Sequence, residues 1–210
     1  MILHPKNGMT NGNFTINIDG NGIEQVNSFK YLGIEIDADF SWKTHISSLE
    51  SEISRMSSFM CKLRHYVSFD CLKSFYYAKI YSRLQYATLA WGGCSSYKLR
   101  RLNVLHNNII RIMTLKNVPS QIRLSSKTLF KSVNILELKD IYQLELAKFM
   151  HKAANNDLPY NLNQMFTRIS SMRRYPTSSS RKRVFAKPIA KKSMYSKWMT
   201  SSGITYGRKR

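Results

Sequence analysis

The stretch WKTHISSLESEISRMSSFMCKLRHYV, Trp42 to Val67, decides the fold. Its apolar residues Trp42, Ile46, Leu49, Ile53, Met56, Met60, Leu63 and Val67 stand 4, 3, 4, 3, 4, 3 and 4 positions apart. That spacing predicts one apolar stripe along a long α-helix. Glu50 and Glu52 fall on its polar side ahead of Arg55, and Asp39 or Ser41 is placed to cap its first turn. Met56 and Met60 are read as core gap-fillers.

Upstream of this helix the period is two. Phe14, Ile16 and Ile18 alternate with Thr15 and Asn17, and Asp19-Gly20-Asn21-Gly22 supplies a turn. A return strand passes through Ile23 and Val26, and a third run, Phe29 to Ile36, is rich in β-formers with Gly33 at its middle. The expectation is a three-stranded antiparallel meander in which Gly33 marks a bulge or the close approach of another backbone.

Downstream the helical period continues. A second helix is expected from Asp70 through Leu72, Phe75, Tyr76, Ile80, Leu84 and Ala87 to Gly92-Gly93, paired with the first as a helical hairpin. A third starts at Ser95 or Ser96 and turns Leu99, Leu102, Leu105, Ile109, Ile112 and Met113 inward, with Arg100, Arg101 and Arg111 outward. After Pro119 come a short piece around Leu129-Phe130 and a fourth long helix, capped near Asn134 and running to about Ala154. The fold class is therefore α+β, mainly α: a small antiparallel β-meander, then a basic helical bundle, then a poorly ordered basic tail.

The charge is unevenly placed. The chain of 210 residues carries 33 Lys and Arg against 12 Asp and Glu, a net +21. Up to Glu52 there are seven acids and three bases, so the opening is acidic. From Cys71 to Leu136 there are eleven bases and no acid, and after Asp157 thirteen more with none. Acid-free blocks repel themselves and gain by meeting phosphate, which places nucleic acid first among partners, ahead of an anionic membrane or an acidic protein. The most apolar run, Tyr76 to Trp91, is interrupted by Lys79 and Arg83, so no membrane partner is expected. Met1 to Gly12 shows no secretory pattern, and Cys61, Cys71 and Cys94 are too widely spaced for a disulfide framework. An intracellular protein, nuclear or cytoplasmic, is expected.

Catalytic and metal chemistry find little support. His4, His45, His65, His106 and His151 form no ligand pair, and phosphate-cradling or nucleophile-elbow motifs are lacking. The one close aspartate pair, Asp37-Ala38-Asp39, stands where a strand hands over to a helix and is read as a helix cap rather than a two-metal site. Tyr76, Tyr77, Tyr81, Tyr86 and Trp91 crowd one helix. Tyr76 and Trp91 are read as core, whereas Tyr77 and Tyr81, near Lys79 and Arg83, stay open as base-stacking surfaces.

Ser28-Phe29-Lys30-Tyr31-Leu32-Gly33-Ile34-Glu35-Ile36-Asp37, then Phe40-Ser41-Trp42 and His45-Ile46, resembles a segment of the reverse transcriptases of non-LTR (LINE, jockey-like) retrotransposons. Tyr86-Ala87-Thr88-Leu89-Ala90-Trp91-Gly92 and Leu105-His106-Asn107-Asn108-Ile109-Ile110-Arg111 are similar to later segments of that family. The resemblance spans about Phe14 to Leu158. It implies an end of palm with a primer-grip meander over 1–38, a thumb-like bundle over 39–118, a helical connector over 119–166 and a flexible basic tail over 167–210. In the family the Tyr-Leu-Gly strand grips the primer, so Tyr31, Leu32 and Gly33 would form the grip. Lys30, Arg55, Lys62, Arg64, Lys73, Lys79 and Arg83 would meet phosphates.

The family's Asp-Asp turn has no counterpart, since no Asp-Asp pair occurs in the chain. The resemblance thus implies part of an RNA-directed DNA polymerase, truncated at both ends, that holds RNA template and DNA primer without activity of its own. No catalytic residue, metal site or cofactor is assigned, and Mg²⁺ is expected only in the intact polymerase with its palm and fingers portion. Two other readings stand beside it: a stand-alone basic nucleic-acid-binding module, and a non-functional mobile-element relic.

Overall fold

A computed structural model of the chain describes residues 16–23, 25–114 and 125–166. The expected strand start at Phe14, the break at Pro119 and the basic tail over 167–210 lie outside them. The described chain is α+β and mainly α, with short antiparallel strands followed by helices. It forms two compact units, one made of residues up to Arg83 with Cys94–Val133, the other of Leu84–Gly93 with residues from Asn134 onward.

The strands of the first unit form two separate hairpins rather than one three-stranded meander. β1 (Ile16–Ile18) pairs with β2 (Asn21–Ile23), and β3 (Ser28–Tyr31) pairs with β4 (Ile34–Asp37). The run Phe29 to Ile36 is thus folded back on itself, with Tyr31 opposite Ile34 and Phe29 opposite Ile36. Leu32 and Gly33 have φ of 47° and 79°. Two consecutive positive φ values make the tight turn whose twist suits a two-residue hairpin. Gly33 therefore serves a turn and not a mid-strand bulge.

Asp37 ends β4 and begins the helix. Its Oδ2 accepts hydrogen bonds from Ser41 Oγ at 2.7 Å and from the backbone N–H of Lys43 at 2.8 Å and Thr44 at 3.4 Å. Asp39 Oδ1 accepts from the Ser41 N–H at 3.0 Å. The two carboxylates therefore satisfy exposed donors at the start of α1 (Lys43–Leu63). Burial pushes the Asp37 carboxyl up, but these hydrogen bonds outweigh it and hold it below the usual value.

The stripe on α1 faces inward as its spacing predicts: Ile46, Leu49, Ile53 and Met60 are buried. The principal partner of α1 is α5 (Ser96–Thr114), not the next helix in the chain. The expected hairpin of neighbouring helices is thus a minor contact, because periodicity fixes a helix's apolar face but not what covers it. From α5 the core receives Leu102, Ile109, Ile110 and Met113, and from α6 (Ser126–Val133) it receives Leu129, Phe130 and Val133. Full burial of one such aliphatic side chain contributes about 1.5–3 kcal/mol.

The expected second helix is broken into four pieces: α2 (Phe69–Phe75), a π-helical segment (Tyr76–Tyr81), α3 (Ser82–Gln85) and α4 (Thr88–Trp91). Leu72, Tyr76, Ile80 and Leu84, each four residues from the last, are all buried. An ordinary α-helix would rotate such a row steadily away from its partner. A π turn, bonding i to i+5, takes up an extra residue and brings the row back, as in the bond from the Ser82 N–H to Tyr77 O. Ala87, at φ 50°, then separates α3 from α4.

In the second unit α4 packs on α7 (Leu138–Asn155). Trp91 is fully buried as expected, and its Nε1–H donates to Tyr86 O at 3.0 Å. Gly92 lies so near α7 that a Cβ there would stand 2.8 Å from Tyr142 Cδ2 and 2.6 Å from Thr88 O. Leu146, Met150 and Ala153 form the cluster on which Leu89, Tyr142, Phe149 and Leu158 pack. The helix starts after Glu137 rather than at Asn134, which instead bends the chain at φ 54°. Its other end is closed by Asn156 at φ 62°. Further on, α8 (Tyr160–Asn163) ends with Asn163 Nδ2 donating to Leu158 O at 2.6 Å.

Candidate nucleic-acid interface

Two groups of the predicted residues are brought together in the first unit, and they are distinct. The first is the β3–β4 hairpin with Lys30, Tyr31, Leu32 and Gly33 at and beside its turn. Tyr31 is 58% exposed and Leu32 71%, and Lys30 is exposed opposite Glu35 in the register. Alternation along the strands puts Phe29, Tyr31, Ile34 and Ile36 on one face and Lys30, Glu35 and Asp37 on the other. Asp37, at the end of the second face, meets the start of α1. On the first face Phe29 and Tyr31 are both exposed, with Ile34 and Ile36 half-buried opposite them. His45, on the first turns of α1, is buried. Burial lowers its pKa, and the carboxylates of Glu35 and Asp37 offset part of that fall.

The second group lies along the seam between α1 and the α2–π–α3 run. Arg55 and Lys62 are two turns apart on α1, both exposed, with Phe59 between them on a neighbouring position. The Phe59 ring lies 5.4 Å from Phe75 of α2. One turn before Arg55, Glu52 Oε1 meets Arg83 Nη2 at 3.1 Å. These two contacts run the segments antiparallel and side by side. Lys79, four residues from both Phe75 and Arg83, falls on the same border and is exposed. The π turn contributes here, since it keeps Tyr76 and Ile80 beneath while Lys79 and Arg83 stay outside.

Arg64 and Lys73 are half-buried and stand apart from this border, and Arg64 Nε donates to His65 Nε2 at 3.3 Å. Tyr77 is exposed and meets Tyr81 edge-on at 5.3 Å. On the far side of α1, Glu50 Oε2 lies 3.6 Å from Arg101 Nε of α5. Sequence reasoning missed the pairs Glu52–Arg83 and Glu50–Arg101, because their members are far apart in the chain. The only signal for Arg101 was its place on a helix without acids.

Beneath the seam is a polar contact that the sequence did not announce. Tyr76 Oη and His106 Nε2 share a hydrogen bond of 2.8 Å, with the rings stacked at 5.9 Å and Phe130 edge-on to His106 at 4.9 Å. Burial lowers the His106 pKa to about 4, so the ring is neutral at physiological pH. Burial, with Tyr77 and Tyr81 nearby, raises that of Tyr76. The pair is a satisfied core contact, and the phenol is unavailable for acid–base chemistry.

No family model, no curated protein and no solved structure matches the chain. Among the described residues no group of His, Cys, Asp and Glu is placed to hold a metal ion, and no helix is long and apolar enough to cross a membrane. What the surface offers is bases at the edges of packed helices and exposed aromatics on a hairpin. That combination suits phosphates and unstacked bases.

Proposed function

We propose that this chain is the template- and primer-holding part of an RNA-directed DNA polymerase of the non-LTR retrotransposon type, and that it binds nucleic acid without carrying out nucleotide transfer. The supporting observation is the β3–β4 hairpin, which presents Tyr31 and Leu32 to solvent at a tight turn immediately before a basic helical unit. On this reading the hairpin bears on the primer, and Arg55, Lys62, Lys79 and Arg83 bear on backbone phosphates, which fixes position without reading sequence. Lys30, Arg64 and Lys73 add positive charge around them. Mg²⁺ and the catalytic carboxylates belong to a palm and fingers portion outside this chain, and the protein works inside the cell, in nucleus or cytoplasm.

A second reading, a stand-alone basic module, is favoured by the charge itself: +21 suffices for binding of any polyanion. Binding of the purified chain to an RNA/DNA primer–template hybrid and to plain duplex DNA, across a salt series, separates them. The polymerase reading expects a preference for the hybrid that survives moderate salt. Equal and steeply salt-dependent affinity for both would leave charge alone.

A further inference from the structure

Two arginines reach α1 from opposite sides. Arg83 comes from α3 and meets Glu52, and Arg101 comes from α5 and meets Glu50. Glu50 and Glu52 are two residues apart, so their side chains leave the helix about 200° apart, one toward each flanking segment. Between them the outward ridge of α1 carries Ser47, Ser51, Ser54 and Ser58, all exposed, so the side chains beside Glu50 and Glu52 are short and Arg55 is the one base among them. Arg55 and Lys62 continue the ridge toward its C-terminal end.

The acids are the exception in this neighbourhood. Between Thr44 and Val133 the only other acid is Asp70, at the start of α2. Each carboxylate also sits deeper than its partner: in the Glu50–Arg101 pair the Glu side chain is 13% exposed and the Arg 80%. The arginine is thus the solvent-facing member, and an ion pair open to water on that side is weak enough to be exchanged.

We infer that Glu50 and Glu52 are built-in phosphate substitutes, holding Arg101 and Arg83 at the two edges of the α1 ridge until a phosphodiester backbone displaces them. The inference rests on the nucleic-acid reading above and adds Arg101 to its binding residues. It makes the acids affinity-limiting: they compete for the arginines and repel the incoming phosphates, which keeps the grip releasable. The stretch from Ser47 to Ser58 is about 16 Å long, the axial length of roughly five base pairs.

The test compares the full chain with Glu50→Gln/Glu52→Gln, Arg83→Ala/Arg101→Ala and a net-charge control, Asp140→Asn/Asp157→Asn, on the hybrid across a salt series. Exposed ion pairs contribute little to stability, so both ridge variants keep their thermal midpoints. The Gln pair is expected to bind about fivefold tighter than the wild type, with the control near wild type. The Ala pair is expected to bind more weakly, with a salt slope reduced by about two phosphate contacts. Unchanged or weaker binding by the Gln pair, an equal gain in the control, or an unchanged slope in the Ala pair overturns the inference. A wild-type chain that binds no nucleic acid overturns the functional reading and this inference together; a wild type that binds beside unresponsive variants overturns this inference alone.

Discussion

Lowering the pH from 7.5 to 5.0 should cost the first unit about 2 kcal/mol through His106 alone. The side chain is fully enclosed between Tyr76 and Phe130, and burial takes its pKa from 6.5 to about 4. Because the folded value is the lower one, the unfolded chain takes up the proton first. Stability is complete above pH 6.5 and drains away as the pH falls toward 4. Linkage over this range gives a loss of about 2 kcal/mol at pH 5.0, rising to about 3 kcal/mol below pH 4. His45 is shifted in the same direction. Asp37 and Glu145 are held below their ordinary values, where burial is outweighed by hydrogen bonds from their neighbours, so their losses fall at lower pH and leave the window from 5 to 6.5 to the histidines. The assay is urea unfolding at pH 7.5 and 5.0 for the wild type and for His106→Gln, which keeps a partner for the Tyr76 hydroxyl but does not titrate. The wild type should lose about 2 kcal/mol more than the variant. An equal loss in both would refute the assignment of His106 as a neutral core residue.

Three further outcomes are expected. Asp37→Ala removes the acceptor shared by Ser41, Lys43 and Thr44 and should cost about 1–2 kcal/mol in urea unfolding, with Asp37→Asn losing less; an unchanged midpoint would mean that α1 is capped otherwise. Gly92→Ala drives a methyl into Tyr142 and the Thr88 carbonyl and should lower stability by about 1–3 kcal/mol, read as a fall in Tm. Lys79→Ala with Arg83→Ala should weaken binding to the hybrid and to duplex DNA alike and flatten the salt slope by roughly two, and a wild-type slope would remove both from the interface.

The parts legible from sequence were those in which one face of one element is at stake. The stripe from Trp42 to Val67, the burial of Tyr76 and Trp91 and the capping role of Asp37 follow from spacing and from the chemistry of a strand-to-helix junction. The hairpin was hidden because Leu32 is not a residue that usually adopts positive φ, so Phe29 to Ile36 looks like a single strand. The partnership of α1 with α5 was hidden because many faces fit an apolar stripe. The burial of His106 on the inward side of α5 is not legible locally, because its neutrality depends on enclosure by residues 30 and 24 positions away. At the candidate interface the basic residues were legible individually, whereas the acids that hold Arg83 and Arg101 became evident only once the helices were packed.

The π segment makes this region sensitive to length in a way that composition conceals. Its extra residue keeps an every-fourth row in phase, with Lys79 and Arg83 outside and Tyr76 and Ile80 inside. Loss of a single in-frame codon there, such as that of Ala78, would let the segment relax to an ordinary α-helix with the residues on either side still in phase. A second loss has no such reserve: it would turn each following side chain by about 100° relative to α2 and take Arg83 away from Glu52. The stretch is therefore expected to absorb one deletion but not two, and its residue count is itself part of the information that builds the surface.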